Sequence, residues 1–108
     1  MYSIRKLIFL KKLHLKSLEF LDLSCNRLSY ISKYLFDQLE NLTHLNISDN
    51  NIEEVDSDSF VNLINLTYLG LMSLKASVQL ENINFDNLKK LKTIVVATRR
   101  CSPINHDL

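Results

Sequence analysis

Leucine and its apolar substitutes return along this chain at a fixed spacing, and that spacing limits the fold more than any other feature. Leu18, Leu21, Leu23, Asn26 and Leu28 have counterparts 24 residues later in Leu42, Leu45, Ile47, Asn50 and Ile52. The leading triad recurs as Leu66, Leu69 and Leu71 and, one residue late, as Leu91, Ile94 and Val96. The second half of each unit repeats as well: Phe36 with Leu39, Phe60 with Leu63, Phe85 with Leu88. Backwards, Ile4, Leu7 and Leu15 stand where Leu28, Ile31 and Leu39 stand one repeat on, with Lys12 in place of the phenylalanine. The chain therefore reads as a partial leading repeat (1–17), repeats at 18–41, 42–65 and 66–90, a partial repeat at 91–97 and a tail at 98–108.

In L-x-x-L-x-L the last two apolar residues lie two apart, so both point to one face of a short strand. Asp22, Asn46, Gly70 and Val95, which stand between them, point the other way. A turn at the asparagine and a longer return segment carrying the Phe and Leu follow. One such unit cannot bury its own apolar side. Stacked units, with strands paired in parallel about 4.8 Å apart, bury a continuous core between sheet and return segments.

At the L-x-x-L-x-L-x-x-N-x-L pattern the chain resembles the leucine-rich repeat family, over roughly residues 2–97. The resemblance implies an α/β solenoid: a right-handed superhelix with a parallel β-sheet on its concave side and an irregular or short-helical convex side. It also implies that Asn26 and Asn50 are structural, their buried amides bonding to neighbouring backbone groups as a ladder, as buried polar groups require. Units of 24 residues with Phe in the second half look like the typical subtype, found mostly in extracellular matrix proteins and receptor ectodomains. The chain has no Gly-x-Ile-Pro turn of the plant-receptor type, and its units are too short for the ribonuclease-inhibitor type. It is similar to ectodomain repeats of Toll-like receptors and of leucine-rich-repeat G-protein-coupled receptors such as relaxin receptors; Cys101 after the last repeat adds a loose likeness to the latter.

The pattern breaks in the third repeat. Leu74 takes the asparagine position and Ala76 the next apolar one, and Arg99 takes the asparagine position of the fourth. The ladder is expected to stop after the second full repeat, with an irregular turn after Leu71. Two readings suit such drift: a terminal unit altered to cap the stack, or a decayed or truncated product. Met1 falls inside a repeat without an evident cap, so the chain reads as a piece of a larger array, marginally stable alone.

Composition narrows the function. With 108 residues the chain is one domain at most, and a formal net charge of +1 leaves no electrostatic footprint for nucleic acid or an acidic membrane. One glycine and one proline, Gly70 and Pro103, rule out a glycine-rich phosphate loop and a flexible Gly/Ser linker. The early apolar run Leu7–Leu10 is far too short for a membrane span or signal-peptide core, so no membrane segment or export signal is expected in the chain. His14, His44 and His106 have no metal-ligand spacing, and Glu53, Glu54, Asp56 and Asp58 lack the spaced carboxylates and central glycine of a calcium loop. No metal, cofactor or catalytic residue is expected: periodic leucines consume most of the chain.

Three Asn-x-Ser/Thr sequons make Asn41, Asn46 and Asn65 candidate glycosylation sites. They are a mild excess over chance, and Asn41 and Asn65 hold the same place in successive repeats. Cys25 and Cys101 form no disulfide framework. Three strand steps separate them by about 14 Å, beyond the roughly 7 Å limit for a bridge. Cys25 is then a small residue near a strand end, and Cys101 either pairs outside this chain or is a free thiol.

Binding is expected on the outward strand residues, which form two columns: Phe20, His44, Tyr68, Thr93 and Asp22, Asn46, Gly70, Val95. Phe20, Asp22, His44, Asn46, Tyr68 and Thr93 are the candidate contacts, aromatic residues beside polar ones as at protein interfaces. A glycan on Asn46 would obstruct that surface. The resemblance implies a protein-binding fragment of an extracellular or cell-surface receptor or adhesion protein, engaging a protein ligand or co-receptor in recognition and signalling. An intracellular, cytoplasmic scaffold or adaptor is the alternative, and regulatory repeats of an enzyme whose catalytic domain lies elsewhere are the third.

Overall fold

Residues 16–96 are described by a computed structural model. The triads form the strands β1 (Phe20–Asp22), β3 (His44–Asn46), β5 (Tyr68–Gly70) and β6 (Thr93–Val95). These make a four-stranded parallel sheet in the order β1-β3-β5-β6. Register follows the repeat: Leu21 lies beside Leu45, Leu45 beside Leu69, and Leu69 beside Ile94. The one-residue delay of the last unit is absorbed before its strand. β1 and β3 are only three residues long because the asparagine turn follows at once. The ladder continues past the strand ends, with Leu23, Ile47 and Leu71 N–H donating to the carbonyls of Asn46, Gly70 and Val95 at 2.8, 3.0 and 2.7 Å.

Leu21, Leu23, Leu45, Ile47, Leu69 and Leu71 are buried under the sheet, together with Leu42, Leu66 and Ile52. Opposite them run the phenylalanines. Phe36 and Phe60 stack at 6.2 Å between ring centroids, and Phe60 and Phe85 at 6.0 Å. The return segments are chains of tight turns. Leu39, Leu63 and Leu88 N–H donate to Phe36, Phe60 and Phe85 carbonyls, and Leu42, Leu66 and Leu91 N–H donate to the carbonyls of those leucines. Among the described residues there is no α-helix, and the one helical turn is a 3-10 turn at Leu80–Asn82. An irregular convex side with one short helical turn is compatible with the expected solenoid. Phe36, Leu39 and Leu42 are spaced by three, the period of a 3-10 turn, in which side chains at i and i+3 eclipse on one face.

A second, two-stranded parallel sheet joins β2 (Tyr30–Ile31) to β4 (Glu54–Val55) where the chain leaves each asparagine turn. Asp56 closes it, accepting bonds from the Tyr30 hydroxyl (2.7 Å) and the Lys33 N–H (2.9 Å). The Tyr30 bond holds the Asp56 carboxyl below its ordinary pKa, and the same bond pushes the Tyr30 phenol up.

Asn50 is buried in the second turn. Its Nδ2 donates to the carbonyls of Leu23, Ile47 and Ser48, and its Oδ1 accepts from the N–H of Asn26 and Leu28. Asn26 Nδ2 donates to Ser24 O at 3.0 Å. Leu74 offers no such amide. The second and third turns are joined instead by Met72 N–H to Ser48 Oγ (2.9 Å), Ser73 Oγ to Asp49 Oδ1 (2.7 Å) and Lys75 N–H to Ile52 O (2.9 Å). Cys25, Asp49 and Ser73, one per repeat, adopt φ of 58°, 59° and 68°, and Arg27 and Asn51 adopt 65° and 57°. Lys75, the third-repeat counterpart of Arg27 and Asn51, does not share the left-handed conformation, so the third turn departs from the first two as its sequence suggested.

Cys25 is disulfide-bonded, which corrects its reading as an unbridged small residue. The chain's other cysteine, Cys101, lies outside the described residues, as do His14, His106 and Arg99.

Candidate protein-binding face

Strand alternation puts Phe20, His44, Tyr68 and Thr93 in one row on the outer face of the sheet, in the register Phe20–His44–Tyr68–Thr93. Parallel pairing turns sequence neighbours 24 residues apart into stacked rings. Phe20 and His44 lie 4.2 Å apart between centroids at 15°, and His44 and Tyr68 lie 5.8 Å apart at 19°. Phe20 is nevertheless 62% exposed, a large apolar side chain left in solvent on a rigid strand. His44 and Tyr68 are half-buried by their neighbours. Thr93 continues the row on β6 and is exposed.

The second row is held from below. Asp22 Oδ1 accepts from the N–H (2.9 Å) and hydroxyl (2.6 Å) of Ser24, and Asn46 Oδ1 accepts from Ser48 N–H at 3.0 Å. Both are short Asx turns that fix a side chain to its own backbone. Gly70, expected to face outward, is buried because the Asn46 amide lies across it. A Cβ there would collide with Asn46 Oδ1 and stand 3.0 Å from Asn46 Cγ and 3.1 Å from Ser48 Oγ. Phe20, Asp22, His44, Asn46 and Tyr68 together line a shallow cavity of about 300 Å³, floored by Leu21 and Leu45.

Asn41 and Asn65 lie apart from this face, in a groove of about 540 Å³ along the flank where the strands begin. Asn41 Nδ2 donates to Lys16 O (2.6 Å), Asn65 Nδ2 donates to Glu40 O (2.9 Å), and Lys90 Nζ donates to Asn65 Oδ1 (2.7 Å). Of the three sequons, only that of Asn46 opens onto the outer face of the sheet.

Two contributions were missed in the sequence. Ser48, fully buried, links the second and third repeats through Met72. Thr43 and Thr67 form polar rungs, their hydroxyls donating to the carbonyls of Glu19 (3.1 Å) and Thr43 (3.0 Å). Their identical place in successive repeats was the available signal. The acidic run is occupied structurally: Asp56 as described, and Glu53 in an exposed ion pair with Lys75 at 3.1 Å. Among the described residues no three His, Cys, Asp or Glu are grouped to hold a metal ion, and no helix is long and apolar enough to cross a membrane.

The sequence model of the family described as Leucine rich repeat matches residues 16–73, from the first strand through the third. A search of curated proteins returns no match.

Proposed function

Because the chain belongs to the leucine-rich repeat family, whose units generally serve as non-enzymatic protein-binding modules, we propose that the outer face of its sheet docks a protein ligand or co-receptor. The parent is an extracellular or cell-surface receptor or adhesion protein that couples this recognition to signalling, and its array continues the right-handed superhelix. The observation that carries the reading is the Phe20–His44–Tyr68 row. It is aromatic and stacked, exposed at Phe20 and half-buried at His44 and Tyr68, with a polar row beside it, so its side chains are already packed before binding.

Two further features favour the cell exterior. Glycans on Asn41 and Asn65 would occupy a flank and leave the face open, and a disulfide at Cys25 suits an oxidising compartment. The test is selection of displayed peptides on the chain secreted from eukaryotic cells. Binders lost on combined His44→Ala and Tyr68→Ala, and kept with Ile64→Asp away from the sheet, support the docking face; binders indifferent to the face variants overturn it. Glycosidase-sensitive mass at Asn41 and Asn65 supports the extracellular placement. A secreted chain without it favours the intracellular scaffold.

A further inference from the structure

We propose that the cavity on this face is an arginine pocket, taking a guanidinium group from the docking partner on two acceptors, His44 Nε2 and the outer carboxylate oxygen of Asp22. The proposal rests on the reading that this face binds protein, and it specifies the chemistry.

The acceptor character of His44 follows from Thr43. The Thr43 Oγ1 atom lies 2.9 Å from His44 Nδ1 and 3.1 Å from Glu19 O. A hydroxyl has one proton to donate. The carbonyl can only accept, and the same hydroxyl-to-carbonyl bond recurs one repeat later from Thr67 to Thr43 O at 3.0 Å, with no imidazole beside it. On the precedent of the Thr67 rung we assign the Thr43 proton to Glu19 O, which also accepts the Thr43 and His44 N–H groups, and with that assignment His44 Nδ1–H is the donor to Thr43 Oγ1. That leaves the lone pair of the neutral ring on Nε2. Phe20 and Tyr68 flank the ring on either side, and Nε2 has no partner among the described residues.

Asp22 supplies the charge. Its Oδ1 is taken by both bonds from Ser24, and Oδ2 has no partner among the described residues. Among the described residues Asp22 is the one charged side chain lining the cavity. Asn46 is oriented by Ser48, so its Nδ2 is turned outward as a donor suited to a peptide carbonyl. A carboxylate ligand would meet Asp22 with no cation among the described lining residues to offset it. An ammonium is a compact point charge, whereas a guanidinium is planar and presents several N–H donors in a fork that can reach two acceptors. The rings of Phe20 and Tyr68 give its methylene stem an apolar wall.

The experiment is NMR on the ¹⁵N-labelled whole chain. A long-range ¹H–¹⁵N spectrum near neutral pH is expected to show the His44 proton on Nδ1; a proton on Nε2 overturns the proposal. Acetyl-arginine N-methylamide is then titrated beside its citrulline and lysine counterparts. Saturable shifts at Asp22, His44, Asn46 and Tyr68 are expected with arginine, with affinity reduced at least about tenfold for citrulline. The same loss is expected in Asp22→Asn, which keeps the Ser24 bonds, and in His44→Phe, which keeps the stack. Equal response to citrulline, or shifts elsewhere on the chain, overturns the pocket. Face-dependent peptide binders that lack arginine would sink the pocket alone; binders insensitive to the face variants would sink the docking reading with it.

Discussion

Asn50 bonds with one side-chain amide to five backbone groups, two in its own turn and three in the preceding repeat. Replacing it by alanine removes the acceptor shared by the part-buried Asn26 N–H and the buried Leu28 N–H. Asn50→Ala is therefore expected to cost about 3 kcal/mol in urea denaturation, and a loss under about 0.5 kcal/mol would show that water replaces the amide. Arg27 has the opposite character. It holds a φ of 65° that an L side chain resists and glycine does not. Arg27→Gly is expected to be neutral or stabilising by up to about 1 kcal/mol, and Arg27→Val to be destabilising, both read from the same denaturation midpoints. The role of Asn50 was legible in the sequence because a polar residue inside a leucine period has few other uses. The left-handed residues were not legible, since Cys25, Arg27 and Ser73 are types that rarely adopt that conformation.

Among the elements, the return segments hold together through phenylalanine. Phe60 is fully buried between Phe36 and Phe85, whereas Phe85 is only partly covered. Phe60→Ala is expected to cost about 3–5 kcal/mol, with Phe85→Ala clearly milder, in thermal or chemical melts. Equal losses would mean that the third repeat is packed as fully as the second. The β2–β4 sheet carries a pH signature. Its bond from Tyr30 lowers the Asp56 pKa, so the carboxylate's contribution is whole above about pH 4 and is lost as pH falls through the lowered value. Asp56→Asn and Tyr30→Phe should each flatten the acid limb of stability below about pH 4 in denaturation curves taken across that range. An unchanged acid limb would assign it to other carboxylates. The strands and Phe positions could be read from the repeat, and an irregular or short-helical convex side was expected from the resemblance, but which turns build it could not be read, because spacing by three suits a 3-10 turn and a short helix alike.

Across the whole molecule, stability should be graded along the stack. The repeat at 42–65 has a packed neighbour on each side, and Leu45, Ile47, Phe60 and Leu63 are fully buried, while Ile94 on β6 is 41% exposed despite its inward place in the pattern. Units that contact only their neighbours open from the ends. Amide exchange at Ile47 and Tyr68 is therefore expected to be slower than at Thr93, although all three are hydrogen-bonded; uniform protection would show that the stack opens as one unit. The sequence by itself determined the register: which residues form strands, which face the core, and where the ladder breaks. These follow from a 24-residue period and the two-residue alternation of a strand, both local properties of the chain. Only the tertiary structure decided which outward residues become a site. Phe20, His44 and Tyr68 stack, His44 Nδ1 meets Thr43 on a rung shared with Glu19, and Asn46 covers Gly70 only when separate repeats lie side by side. Each of these arrangements joins different repeats, so no single unit contains it.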